Sequence, residues 1–307
     1  MFDLLRYPFL QNAFLAGSIV AIVAAITGYF VITRGLTFAG HALSHIGFAG
    51  AAGAVLLGVD PLFGLLVFTL GASISIGMLG REVRERDIAI GITMTLGLGL
   101  GILFLSLYHG YAEEAYSILF GTITGISRLD VLVTAISSVL TLGVLFTLFR
   151  PLLFSSIDPE VAQARGIPVR LLASVFLMLL AITVSISVQI IGVLLIFTLL
   201  IGPAATATRI ARHPASALAL AVLLGLLYTN LGIMLAIFMG WPPSFCIATL
   251  SFAIYLPVRL LSPLWIGRRA SPEQPGAAYS AQTDERDAAE PRSAGQTEET
   301  GETPPSA

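Results

Sequence analysis

The sequence predicts an all-α integral membrane protein, a polytopic bundle of eight or nine transmembrane helices. Three observations carry the helical membrane fold. Of the 307 residues, 56% are hydrophobic and only 11% charged, whereas a soluble domain carries about 25% charged residues. Stretches of about 20 apolar residues, enough to cross the hydrocarbon core, recur from Phe9 to Trp265 with short polar breaks. These stretches are continuous and not alternating, which favours helices, whose backbone hydrogen bonds are satisfied within the segment.

In chain order the spans are expected at about 11–33, 40–58, 61–80, 88–107, 131–153, 171–188, 190–209, 215–238 and 243–261. Asp60-Pro61 separates two short spans, and Gln189 to Gly192 only slightly interrupts a long apolar run, so the count is eight or nine. The first span is too long for a signal core and is expected to be retained. Arginines in short connections favour the cytoplasm. Arg81, Arg84 and Arg86 share one connection, Arg150, Arg165 and Arg170 flank a second, Arg209 and Arg212 a third, and Arg259, Arg268 and Arg269 follow the last span. These segments are expected inside, with Arg34 on the same side and the N-terminus outside if there are nine spans. The connection from Tyr108 to Asp130 and the turn Gly240-Trp241-Pro242-Pro243 then face outward. From Ala270 the composition turns to Pro, Ser, Thr, Gly, Gln and acidic residues. Residues 1–267 are therefore expected to form the transmembrane domain and 268–307 a disordered cytoplasmic tail. Gly50 and Gly53, and Gly97, Gly99 and Gly101, supply small side chains for close helix packing.

Composition also excludes function classes. A net charge of −2 offers no basic field for nucleic acid. Cys246 is the single cysteine, so neither an intrachain disulfide nor a cysteine-rich metal cluster is expected. The glycines at 97–101 have no following lysine and make no nucleotide loop, and no Ser/His/Asp arrangement appears. The chain is not expected to be an enzyme, and any ATP it depends on is hydrolysed by another chain.

The sharpest feature is Gly40-His41-Ala42-Leu43-Ser44-His45, which sets two imidazoles four residues apart on one face of a helix in an apolar segment. Polar side chains at membrane depth line a pathway or a protein interior. Imidazole suits zinc and related ions, and zinc commonly takes four ligands. One helix supplies two, and a twofold dimer would supply four from His41 and His45 of each copy. Ser44 would sit beside them as a hydrogen-bond partner. The competing reading is that the histidines only hydrogen-bond between helices. A metallopeptidase is disfavoured because Ala42 stands where His-Glu-x-x-His needs its general base.

Between spans, Ser155 to Pro168 reads as a short surface helix with Asp158 as N-cap, Pro159 in the first turn and Gly166 at its end. It would dock a partner or serve as an ordinary structured loop. Gly202-Pro203, followed by small residues to Ala207, would kink a helix near a pathway or simply pack. His109, Glu113 and Glu114 would either attract cations at an outer vestibule or be plain loop residues, and His213 reads as a loop residue.

In this order these segments resemble the ABC-3 family of zinc, manganese and iron importer permeases, from about Phe9 to Leu261. The most specific parts are Arg34 to His45, Asp158-Pro159-Glu160 through Gly166-Ile167-Pro168, and Ile201 to Ala207. The resemblance implies a homodimeric permease in the bacterial plasma membrane, a pair of cytoplasmic ATPase subunits and an extracytoplasmic metal-binding protein that delivers the ion. It implies no permanently bound cofactor, a transported Zn2+ (alternatively Mn2+ or Fe2+), and an ATPase-coupling role for the loop carrying Asp158, Glu160 and Gly166. Many relatives carry aspartate at the first ligand position, where this chain has His41; nitrogen in place of oxygen favours zinc over manganese. A siderophore or cobalamin permease and a secondary transporter are the alternatives.

Overall fold

The structure, a computed structural model, describes residues 8–79, 83–108, 121 and 125–266, the side chains of 83–85 and 262–266 excepted. Among the described residues no strand occurs. The helices are α1 (Pro8–Thr33), α2 (Thr37–Leu56), α3 (Pro61–Leu79), α4 (Val83–Leu107), α5 (Arg128–Thr147), α6 (Phe149–Ile157), α7 (Pro159–Ala164), α8 (Val169–Ile191), α9 (Val193–Ile210), α10 (Pro214–Met239) and α11 (Pro243–Ile266). The tail expected at 268–307 lies outside the described residues, as do His109, Glu113, Glu114, Arg81, Arg268 and Arg269.

Among the described residues, eight helices are long and apolar enough to cross a bilayer: α1, α3, α4, α5, α8, α9, α10 and α11. The remaining long helix is α2, which Asp60-Pro61, one of the two breaks that left the count at eight or nine, separates from α3. Nearly all of α2 is buried against protein. A helix clothed by its neighbours does not need the apolarity that lipid demands, so α2 carries histidine, serine and many small residues. α1 and α8 are the most enclosed of the other spans, whereas α4, α5 and α11 are largely uncovered within the chain and present leucine, isoleucine and phenylalanine outward.

Glycine sets the closest approaches. Gly50 of α2 and Gly64 of α3 lie backbone to backbone, and a Cβ on either would overlap the other's carbonyl. Gly28 of α1 meets the Leu200 carbonyl of α9 in the same way. Gly97 and Gly101 let α4 close onto Ile46, Phe48 and Ala49 of α2, as the sequence suggested, while Gly99 faces open space. Buried hydroxyls join the helices: Thr69 of α3 lies 2.7 Å from Ser185 of α8, and Thr27 of α1 lies 3.4 Å from Thr183 of α8. Most of these also donate to a carbonyl of their own helix, which keeps them satisfied without water.

One expected span is corrected. The run 131–153 is two helices, broken at Leu148 (φ −88°, ψ 0°). Pro151 has no N–H to continue the α5 ladder, but it fits the first turn of α6, where that donor has no partner in any case. The slight break expected at 189–192 is sharp: Gly192 adopts φ +82° and separates α8 from α9. Only glycine takes that conformation readily.

The two ends of the bundle differ. At one end the α1–α2 turn meets α6, where Arg34 Nη1 donates to Ser155 Oγ at 2.9 Å and the guanidinium lies 5.7 Å from the centre of the Phe176 ring. Burial, reinforced by the charge of Arg86, pushes the Arg34 guanidinium below its ordinary value. At the other end Asn12 donates to the Ile126 carbonyl at 2.9 Å, and Gly121 lies against Ile191 and Gly192. From Gly192, α9 runs about 27 Å to Arg209, whose guanidinium lies 5.9 Å from the Tyr255 ring, a ring also bonded by Arg259.

Candidate functional site

α2 begins immediately after the buried Leu36, and its first two turns carry the histidines. With a rise of 1.5 Å per residue, His41 stands about 6 Å and His45 about 12 Å from the Thr37 start of the helix. Both therefore lie in the half nearer Arg34. Their rings meet edge to face with centroids 4.5 Å apart and planes at 82°. His41 is also edge to face with Phe197 of α9 at 4.9 Å. That aromatic wall was not foreseen, because nothing in an apolar run distinguishes the one phenylalanine that will meet a histidine from a distant helix.

Exposure along α2 singles out the pair. From Ala39 to Ala54 every residue is buried except His41 and His45, which are half-buried. The open stripe continues one turn back to Phe38, 42% exposed. On the neighbouring α9 a matching stripe of Leu194, Phe197, Thr198, Ile201 and Ala205 is exposed or half-buried. Two helices thus present uncovered faces, and the only ionisable groups on them at this depth are two imidazoles that can each offer a nitrogen lone pair.

Ser44 does not take the place expected beside the imidazoles. It is buried on another side of α2 and its hydroxyl donates to the Gly40 carbonyl at 3.0 Å, so its proton serves the helix and not a histidine. Among the described residues no group of three or more His, Cys, Asp or Glu comes together. The chain alone thus offers this stripe two nitrogen donors.

The loop expected to form a capped surface helix does so. Asp158 accepts a hydrogen bond from the Val161 N–H at 3.0 Å, and Pro159 opens α7. Gly166 closes it at φ +82°, with its N–H on Gln163 O and the Ile167 N–H on Ala162 O at 3.0 and 3.1 Å, the reciprocal pattern of a glycine-terminated helix. Only Ala162 is buried; Glu160, Val161, Gln163, Ala164 and Arg165 face out. α7 therefore lies on the surface at the Arg34 end, anchored through one small side chain and through Arg165, which stacks 5.4 Å from Phe154.

Gly202 and Pro203 sit within α9, which continues through them. Gly202 faces Ser251 of α11 so closely that a Cβ would overlap Oγ, and Pro203 is buried. Gly202 lets α9 approach α11, whereas Pro203 lies beside Gly225 of α10. His213 is an exposed residue at the start of α10, and Cys246 is buried and free.

Comparisons with known proteins agree with this arrangement. The sequence profile of the ABC 3 transport family matches residues 6–262. The manganese transport system membrane protein MntC of Halalkalibacterium halodurans is 30% identical over 276 residues, which cover 87% of this chain and 94% of that protein. The high-affinity zinc uptake system membrane protein ZnuB of Haemophilus influenzae is 31% identical over 233 residues, 76% of this chain and 89% of that one. The solved structure of PsaBC from Streptococcus pneumoniae in complex with Fab superimposes with a TM-score of 0.75 at 32% identity, covering 83% of this chain and 92% of that one. A helical bundle with a histidine pair on α2, a capped surface helix and a close-packed Gly-Pro segment thus coincides with a profile match over most of the chain, and the protein belongs to the ABC 3 transport family.

Proposed function

We propose that this chain is the membrane permease subunit of an ATP-binding-cassette importer for a divalent transition-metal ion, with zinc as its cargo. It is a multi-pass protein of the bacterial plasma membrane. The observation that carries the proposal is the stripe on α2, where His41 and His45 alone stay open between Ala39 and Ala54. Imidazoles turned toward lipid would be costly, so the face calls for a cover that uses them. A second copy related by a twofold axis meets that need and raises the nitrogen donors from two to four, a full tetrahedral set for zinc.

Four neutral imidazoles would leave the ion its full charge, so it would be held by geometry without being neutralised. A site of that kind binds well enough to admit the ion and weakly enough to release it. The ion would arrive from an extracytoplasmic metal-binding protein at the end marked by Asn12 and Gly121. α7 lies at the opposite end, where two cytoplasmic ATPase subunits would press on its exposed face around Glu160. Asp158 and Gly166 fix the ends of that helix, so a push on it would be passed on to the start of α8. The permease makes no covalent bond; it positions the cargo and changes which end is open.

Manganese is the second reading, because several of the similar proteins are named manganese permeases. Donor chemistry separates the two: manganese prefers oxygen ligands, and nitrogen suits zinc. Family membership removes the secondary-transporter alternative. The test is uptake of zinc, manganese and iron by cells carrying wild-type or His41→Ala/His45→Ala permease at equal membrane abundance. Zinc uptake is expected to fall by more than the roughly 10–100-fold that loss of an outer partner costs a metal site. Unchanged zinc uptake would remove the proposal.

A further inference from the structure

At the Arg34 end the bundle forms an open cavity of about 500 Å³ whose chemistry the transport of a cation does not explain. Arg34 from the α1–α2 turn, Arg86 from α4 and Arg170 from α8 line it together with Ser155, Ser156 and Ser174. Among the described residues that line it, none is acidic. Burial first, and then the charge of Arg86, push the Arg34 guanidinium below its ordinary value, so these two cations repel one another.

The hydrogen bonds leave the cavity short of acceptors. Ser155 and Ser156 both donate to the Leu152 carbonyl, and Ser174 donates to the Arg170 carbonyl. Arg34 uses one N–H on Ser155. Arg86 Nε is buried with no hydrogen-bond partner. A buried guanidinium N–H without an acceptor is costly, and more so for a charged group. Donors of this kind suit an anion with several oxygens, and the planar donor fork of arginine matches phosphate best.

We propose that this cavity is a binding site for a phosphate group, held by Arg34, Arg86 and Arg170 at the end of the bundle that the arginine distribution assigns to the cytoplasm. The volume lies in the usual range for a small-ligand site. The phosphate is either free in the cytoplasm or the headgroup of an anionic lipid, for which basic pockets between helices on this face are suited; Ile76 and Leu177 in the same wall offer an apolar surface to the latter. Filling the site offsets the repulsion between Arg34 and Arg86. The inference concerns a different site from the histidine stripe and stands whether or not zinc is the cargo.

The experiment is thermal unfolding of the full chain in two arms. In a nonionic detergent after delipidation, inorganic phosphate is titrated against sodium chloride of matched ionic strength. In nanodiscs, phosphatidylglycerol is compared with phosphatidylcholine. Stabilisation by inorganic phosphate identifies the free anion, and stabilisation confined to phosphatidylglycerol identifies the lipid headgroup; either supports the site. Arg86→Gln is expected to weaken half-saturation by about 10–100-fold, the loss of one charge-assisted hydrogen bond. Arg170 is exposed, so Arg170→Gln gives a second variant whose folding does not depend on the site, with a smaller loss in the same direction. Arg212→Gln, outside the cavity, keeps the full response. No stabilisation in either arm, or a response that both cavity variants retain, overturns the proposal.

Discussion

In the proposed account two imidazoles, His41 and His45, set the cargo chemistry, and their value comes from what surrounds them. Everything else on α2 from Ala39 to Ala54 is buried, so His41 and His45 are the groups that reach the open face. A single exchange tests which metal they suit: His41→Asp replaces a nitrogen donor with a charged oxygen and is expected to raise manganese uptake relative to zinc, read as a competition ratio in cells. An unchanged ratio would mean that the first donor does not set the preference. At this scale the sequence was informative about identity and blind to neighbours. The spacing of the histidines placed them on one face, but Phe197 beside His41 and the turning of Ser44 into its own helix depend on how α2 is rotated against α9, which no local pattern specifies.

Among the elements, α7 and the α2–α3 crossing carry opposite lessons. α7 has six residues, too few to persist without its caps. Asp158→Ala removes a side-chain cap at a cost of about 1 kcal/mol. Amide exchange over Pro159–Ala164 should then speed up by about fivefold, with little change elsewhere in the bundle. Equal acceleration throughout would show that Asp158 holds more than its own helix. The α2–α3 crossing is rigid. Gly50→Ala forces a Cβ into the Gly64 carbonyl and should cost about 1–3 kcal/mol as an overpacked contact, seen as a lower Tm in detergent. Gly99→Ala meets nothing within 4 Å and should leave Tm unchanged or slightly higher. The caps of α7 were legible because capping chemistry is local: an acceptor side chain, a proline and a glycine at fixed offsets. The break at Leu148 was not, since Pro151 inside an apolar run reads equally as a kink or as a first turn until the partner helices are known.

For the whole molecule, the helical membrane fold followed from composition because lipid allows few alternatives to a helix. The uncertainty in the count lay at Asp60-Pro61 and at Gln189 to Gly192, where the structure starts α3 at Pro61 and separates α8 from α9 at Gly192. The basic cavity could not be read from the chain because its three arginines come from three separate segments that only the bundle unites. The proposed twofold assembly adds a prediction at this scale. In a Cys246→Ser background, His45→Cys should form a disulfide-linked dimer on oxidation in membranes, whereas a cysteine at Phe146, 82% exposed on α5, should not. Equal cross-linking at both positions would point to random encounter. The central claim, that paired imidazoles from two copies hold a divalent cation between them, is tested most directly by X-ray absorption of the zinc-loaded purified protein. The account predicts one zinc per two chains, with four nitrogen neighbours at about 2.0–2.1 Å, and loss of that signal in His41→Ala/His45→Ala. An identical spectrum from the wild type and the double variant would contradict it.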